Sequence, residues 1–413
     1  MTLTCPGAVR GTNTSAVPLT AERVANLPAW QNYLRNSDRQ RKADADFLCA
    51  ELRTHMLQET KQPPKARQKL ESFLSKSEAW FASKEAQKIA DNLMSFQTPS
   101  GGWSKNTDFI TRRRSPGENF GTEAGTLRRD EKGGQDSDNG GLHYVGTFDN
   151  YATTTEIRIL ARVISAANTN TAAWEAACLR GLDYIFAAQY PNGGWPQGWP
   201  LQGGYHDAIT FNDDAMVRVM EVLRDVAAGT GGFSFPSPAV RTMAEASVKR
   251  GLDCILNAQI KVDGRLTVWG QQHDPLTLAP VPARNYEPVA SASDESAGLI
   301  LFMLRLPEPD ARIIASIHAA CAWFEKTRIT GKKFAGAGKQ GRILMDVPGA
   351  GPIWARYSEI GTEMPIFADR DKAIHTDVND ISRERRKGYS WFCDTPKRTL
   401  QHYAKWAKAH PQP

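Results

Sequence analysis

Two kinds of residue in this 413-residue chain could do chemistry, and they lie on different stretches. The first are carboxylates. Phe211-Asn212-Asp213-Asp214 opens one stretch with apolar residues at helical spacing, and Phe148-Asp149-Asn150 opens another that runs on to Glu156. Hard oxygen donors of this type can hold a cation such as calcium. An acidic helix start also has a purely structural use, capping free N–H groups and complementing the macrodipole, and the local sequence allows both. The second kind are arginines on loop sequence. Arg284 follows Pro280 and Pro282 in the run from Val268 to Glu287, which also carries His273 and Tyr286. Arg356 ends Gly-Pro-Ile-Trp-Ala-Arg, and Arg370 follows Phe-Ala-Asp. A loop arginine is ordinarily a surface charge, but several on one rim read a carboxylated ligand through forked hydrogen bonds. His273 and His143 are single histidines, for which a structural role is the ordinary one. Trp195, Trp199 and Tyr205 either stack on sugars or pack a loop. Metal on one side and arginine on the other make a site for an anionic substrate.

The elements that must position these groups are mostly helices. Apolar residues recur at helical spacing over Ala21 to Thr60, Ser77 to Phe96, Asn150 to Ala166, Asn212 to Ala228, Pro238 to Gln259, Ser293 to Leu306, Pro309 to Thr327 and Thr395 to Ala409. Asn212 or Thr210 is expected as an N-cap. A helix ending in Gln followed by a turn with Gly recurs at Gln97, Gln189 and Gln259, and Arg-Gly-Leu-Asp recurs at Arg180 and Arg250. Gly is expected to close each helix in the left-handed conformation. Such a period is the mark of repeated helical hairpins. The expected fold is all-α, a toroid of helical hairpins with long irregular loops and a few short strands, the latter within Gly331 to Asp377. Phe109 to Leu142 reads as a long surface excursion. No linker argues for separate domains, so residues 1–413 are expected to form one catalytic domain, with 1–70 as a helical extension packed on it.

Composition narrows the partners. Net charge is +6 and hydrophobic content 41%, enough to bury a core. The basic runs Arg112 to Arg114 and Arg383 to Lys387 read as solvated faces, with no nucleic-acid motif beside them. A mildly basic surface suits a polyanionic substrate. No apolar run reaches the roughly 18 residues of a membrane-spanning helix. Met1 to Pro18 has no apolar leader core, so the sequence reads either as cytosolic or as a chain whose leader was removed. Six widely spaced cysteines without a Cys-x-x-Cys pair speak against zinc, and leave disulfides and buried thiols both open.

Several motifs in one order then carry a resemblance. Gly-Gly-Trp-Ser-Lys-Asn (101–106), Phe-Asp-Asn with Ala-Thr-Thr-Thr-Glu (148–156), Tyr-Pro-Asn-Gly-Gly-Trp-Pro-Gln (190–197), Thr-Phe-Asn-Asp (210–213), Val-Trp-Gly-Gln-Gln-His-Asp through Pro-Ala-Arg284, and Trp-Ala-Arg-Tyr (354–357) resemble the pectate lyases of polysaccharide lyase family 10. The match covers roughly Ser77 to Trp406; the first 70 residues carry no such motif. The resemblance implies an (α/α)3 barrel and calcium-dependent cleavage of polygalacturonate. A β-elimination removes the C-5 proton, expels the glycosidic oxygen at C-4 and leaves a 4,5-unsaturated end. Carried over by motif, Arg284 is the base, Asp213 with Asp149 belongs to the calcium site, and Arg356 and Arg370 grip substrate carboxylates. Asn150, His273 and Tyr286 are implied as further substrate contacts. Secretion follows from the substrate, and a monomer is expected. A guanidinium, with a pKa of roughly 12.5–13.8, is an awkward base. Desolvation and neighbouring cations would favour its neutral form, as would alkaline pH. Two other readings compete: a non-catalytic toroid that binds acidic polysaccharide, and a terpene-cyclase-like enzyme, whose Asp-x-x-Asp motif Asn212-Asp213-Asp214 matches poorly.

Overall fold

The computed structural model describes residues 11–12, 17–122, 146–336 and 341–412. His143 and much of the expected excursion therefore lie outside the described residues. Among the described residues the chain divides into two compact units. One runs from Pro18 to Cys254; the other takes in the residues from Ile255 onward together with Gly11–Thr12.

The N-terminal unit begins with α1 (Pro28–Thr54), which has proline in its first turn, where the missing N–H costs nothing. Apolar, polar and ionic contacts fasten it down. The rings of Trp30 and Tyr33 lie 5.2 and 4.9 Å from that of Tyr190, and the Tyr33 hydroxyl donates to Ala188 O at 2.9 Å. Asp44 accepts from both the amide and the hydroxyl of Ser100 at 2.8 Å, and Arg114 meets Glu51 at 2.5 Å. The single helix expected over Ser77 to Phe96 is broken into α2 (Glu78–Phe81) and α3 (Lys84–Phe96). The reason is a second N-cap: Ser77 accepts from the Trp80 amide, and Ser83 accepts from the Ala86 amide. The apolar stripe survives the break, with Phe81, Ile89, Leu93 and Phe96 all buried. Helices α4 (Thr154–Ala166), α5 (Ala172–Ala188), α6 (Ala215–Ala228) and α7 (Pro238–Ala258) follow.

The repeat seen in the sequence is a side-chain stitch rather than a glycine cap. Gln97, Gln189 and Gln259 each follow a helix in extended or non-helical backbone. Each spends its amide on two carbonyls, one in the next turn and one on a later helix. Gln97 reaches Gly101 O at 2.8 Å and Ala177 O at 2.9 Å. Gln189 reaches Gly193 O at 3.0 Å and Ser247 O at 2.9 Å. Gln259 reaches Thr267 O at 2.9 Å and Ser316 O at 3.1 Å. The glycines serve close approach: a Cβ on Gly101 would stand 2.4 Å from Arg180 O, and one on Gly193 2.1 Å from Arg250 O. Arg180 and Arg250 then complete the stitch by donating to the oxygens of Gln97 and Gln189. Trp103, Trp195, Trp269 and Trp354 each donate their indole N–H to a last-turn helix carbonyl, on Leu93, Ile185, Ile255 and Phe324 respectively. Trp195 and Trp199 are buried, so they pack their loop and are not open to stack on sugars.

The C-terminal unit holds α8 (Ser293–Met303), α9 (Ala311–Thr327), α10 (Arg383–Gly388) and α11 (Thr395–Trp406), with α11 against both α8 and α9. Asp310 caps α9 through the Ile313 amide at 2.9 Å. Short antiparallel pairs tie the loops together, among them Gln272–His273 with Pro280–Val281, Ser291–Ala292 with Tyr357–Ser358, and Trp354–Ala355 with Phe392–Cys393. Tyr286, Tyr357, Phe367, Tyr389 and Trp391 form an aromatic core beneath them. Cys49, Cys178, Cys254, Cys321 and Cys393 are free thiols; Cys5 lies outside the described residues.

Candidate functional site

Neither acidic run caps its helix as a simple N-cap would. α4 and α6 start behind Thr153 and Asp214, without side-chain capping bonds. One step earlier, Asp149–Tyr151 and Asn212–Asp214 each form a short 3-10 turn, and the two turns lie against each other within the N-terminal unit. They are built alike. The first residue of each, Asp149 or Asn212, is buried, and the second, Asn150 or Asp213, is exposed. Asn150 has φ +49° and Asp213 +51°, left-handed values that Asn and Asp tolerate through their short polar side chains. Tyr151, Thr153 and Asp214 are also at positive φ. Thr153, β-branched at φ +61° and ψ −48°, is the most strained of these. It is pinned by Trp103, whose amide donates to the Thr153 hydroxyl at 3.0 Å and whose carbonyl accepts from it at 3.2 Å. Lys105, from the Gly-Gly-Trp-Ser-Lys-Asn run, meets Asp149 at 2.5 Å.

Oxygen donors on two abutting turns are the right chemistry for calcium. Asp213 and Asn150 are the exposed members, with Asp149 behind them. The set is short of a full shell: among the described residues, no group of three or more His, Cys, Asp or Glu is assembled to hold a metal. Carboxylate from a ligand, and water, would have to complete it.

The arginines belong to the C-terminal unit, and the structure gathers them. Tyr286 is the hub: the guanidinium carbons of Arg385, Arg284 and Arg370 lie 4.2, 5.0 and 5.7 Å from its ring centre. Asn285 donates to Arg370 O at 3.1 Å. Tyr389 stands edge-on to Tyr286, with Arg356 4.9 Å from its ring centre. Each arginine is answered by a carboxylate. Arg284 donates from Nε and Nη2 to Glu287 at 2.8 and 2.5 Å. Arg356 donates from Nε and Nη2 to the same oxygen of Glu295, Oε1, with both residues buried. Arg370 donates to Glu384, which is 56% exposed. A chain of hydroxyls backs the cluster: Tyr389 donates to Glu287 at 2.7 Å and meets Tyr357 at 2.6 Å, and Tyr357 donates to Gln271 at 2.9 Å.

These contacts decide charge. Burial opposes the charge on Arg284, but Glu287 outweighs it and raises the guanidinium further above its ordinary range. Burial likewise pushes Glu287 up, yet Arg284 brings it down to about 2. The pair favours the cationic form of Arg284, so taking a proton there needs Glu287 to turn away. His273 is buried and neutral: burial lowers it to about 4, its Nε2 accepts from the Gly270 amide at 3.0 Å, and its Nδ1 faces Leu278 O at 2.8 Å. Both ring nitrogens serve the loop backbone, which makes His273 a support rather than a substrate contact.

Sequence reading missed Lys105, Glu287, Glu295, Tyr389 and Arg385. Lys105 and Glu287 had a local signal, one inside a motif and one three residues after Arg284. The others come from 61 to 102 residues away in the chain, as with Glu295 and Arg356 or Tyr389 and Glu287.

A family model, pectic acid lyase, matches residues 97–400. Among curated proteins no match is found. Among solved structures, the family 10 polysaccharide lyase from Cellvibrio cellulosa is similar, with a TM-score of 0.67 and 30% identity over 80% of this chain and 95% of that one. An aspartate-to-alanine mutant of that lyase in complex with trigalacturonic acid gives a TM-score of 0.67 and 29% identity, over 82% of this chain and 99% of that one.

Proposed function

The chain belongs to the pectic acid lyases of polysaccharide lyase family 10 and is a pectate-degrading lyase; from that premise we propose calcium-dependent β-elimination of polygalacturonate, yielding 4,5-unsaturated oligogalacturonides. Family membership sets aside the binding-module and terpene-cyclase readings. The observation that supports the calcium reading most is the abutment of the two acidic turns, with Asn150 and Asp213 exposed in matching places.

Asp213, with Asn150 and Asp149, would hold the ion. Bound calcium would neutralise the uronate carboxylate and so make the neighbouring C-5 proton more acidic. Lys105, ion-paired with Asp149, orients that carboxylate behind the position. Arg356, locked by buried Glu295, presents a fixed cation to a second substrate carboxylate. The base comes from the arginine cluster. The base role stays with Arg284, whose burial opposes its charge, and it requires Glu287 to let go when substrate arrives. Arg370, bonded to the exposed Glu384, takes the gripping role. Tyr286 orients both by stacking.

The (α/α)3 barrel, a monomeric state and secretion belong to the same proposal. No helix among the described residues is long and apolar enough to cross a membrane. Product analysis tests the reaction class: an unsaturated, ultraviolet-absorbing end supports elimination, whereas saturated reducing ends alone would mean hydrolysis.

A further inference from the structure

Beside the Asp149–Tyr151 turn the N-terminal unit has an open cavity of about 340 Å³. That is at the lower end of the roughly 300–1,000 Å³ of small-ligand sites. One wall is the stretch from Arg67 to Glu71, which precedes the family-matched residues 97–400; the opposite wall includes Lys105, Asn150 and Glu156. The first wall is fixed from both sides. Lys61 N donates to Gly117 O at 2.9 Å and Ala66 N to Asn106 O at 2.9 Å, while Arg162 holds Leu74 O at 2.6 Å.

Glu156 is the informative residue. It lies in the first turn of α4, where the backbone amides of Thr153 and Glu156 itself bond to its carboxyl, as in half of a capping box. Its Oε2 nevertheless has no hydrogen-bond partner, although the residue is only 3% exposed. A buried polar atom left unpaired is destabilising. Helix capping alone does not account for an orphaned oxygen on a cavity wall. Burial, reinforced by Glu71, outweighs the two backbone amides and pushes this carboxyl up to about 8, so at neutral pH it carries a proton to donate. With Glu156 neutral, Lys105 answered by Asp149 and Lys69 3.6 Å from Glu71, Arg67 leaves the lining with a net positive charge, which favours an anion over a metal ion.

We propose that the cavity is a site for one further uronate residue of the substrate, with Glu156 donating to a sugar oxygen and Arg67 and Lys69 receiving the carboxylate. The stretch before the family-matched region then has a function: it extends the grip on the polysaccharide. The proposal rests on the pectate reading above.

The test follows initial rates on oligogalacturonates of increasing length, together with calorimetric binding of the same oligomers, using the full chain. Arg67→Ala/Lys69→Ala should raise KM for the longer oligomers about fivefold, leaving kcat and the KM of the shortest cleavable oligomer within about twofold. Glu156→Leu should do the same, and Glu156→Gln, which keeps an acceptor for the helix start and adds an amide donor, should restore wild-type KM. An unchanged KM across the series in the Arg67/Lys69 variant overturns the proposal, as does a Glu156→Leu variant altered only in melting temperature, the result of a structural cap. Should the wild type yield no unsaturated product, the pectate reading fails instead; calorimetry, which needs no turnover, still reports on the cavity.

Discussion

The two units organise their charges by opposite means. In the N-terminal unit the acidic turns are shaped by backbone: five residues at positive φ, from Asn150 to Asp214, aim short side chains that have little freedom of their own. In the C-terminal unit the arginines are long and flexible. They are aimed by partners, namely Glu287, Glu295, Glu384 and the rings of Tyr286 and Tyr389. A site fixed by backbone keeps its geometry when one side chain is changed. A site fixed by ion pairs does not, because removing either partner strands the other. The N-terminal region should therefore tolerate conservative substitution with a graded loss, and the C-terminal region should fail sharply.

The largest expected effect separates the arginines. Arg284→Ala should lower kcat by about 10²–10⁴ with little change in KM, the signature of a lost general base, whereas Arg370→Ala should chiefly raise KM. Steady-state rates on polygalacturonate decide it, and the reverse pattern would move the base role to Arg370.

Next comes the buried pair. Glu287 is depressed to about 2 in the folded chain, against an ordinary carboxyl near about 4.3, so its contribution is complete above the unfolded value and is lost as pH falls toward the folded one. Between those limits about 3 kcal/mol of stability should disappear. Urea unfolding across this range should find that drop in the wild type and not in Glu287→Gln, which should be less stable throughout at neutral pH.

A smaller, graded effect is expected at the turns. Asp149→Asn and Asp213→Asn should each raise the calcium needed for half-maximal rate by about tenfold or more; the melting temperature should be nearly unchanged in Asp213→Asn and lowered in Asp149→Asn, which breaks the ion pair with Lys105. A collapse of the fold in Asp213→Asn would erase the contrast between the units.

The smallest effect sharpens the repeat. In the N-terminal unit Arg180 and Arg250 satisfy the oxygens of their glutamines; in the C-terminal unit the corresponding position, three residues after Ser316, is Ala319, and Gln259 Oε1 is left without a partner. Ala319→Arg should stabilise by about 1 kcal/mol, read as a higher urea midpoint.

The same contrast explains what was legible in the sequence. Phe-Asp-Asn and Phe-Asn-Asp are legible because the same short pattern stands twice before a helix, and the Gln and Arg-Gly-Leu-Asp repeats are legible because they too recur. The break between α2 and α3 was missed because the apolar stripe runs through it, and only Ser83 marks it. The cap reading of Asp149 and Asp213 failed because left-handed backbone leaves no trace in local composition. The state of Arg284 depended on a carboxylate whose burial, and whose tyrosine partner 102 residues on, no local pattern contains.

The most direct test is a calcium titration of the initial rate on polygalacturonate, starting from enzyme stripped with chelator and following the unsaturated product. No product should form until calcium is added, and the half-saturating concentration should rise in Asp213→Asn while staying at the wild-type value in Arg370→Ala. Undiminished elimination in chelator, or a titration curve that Asp213→Asn leaves unmoved, would contradict the division of labour between the acidic turns and the arginines.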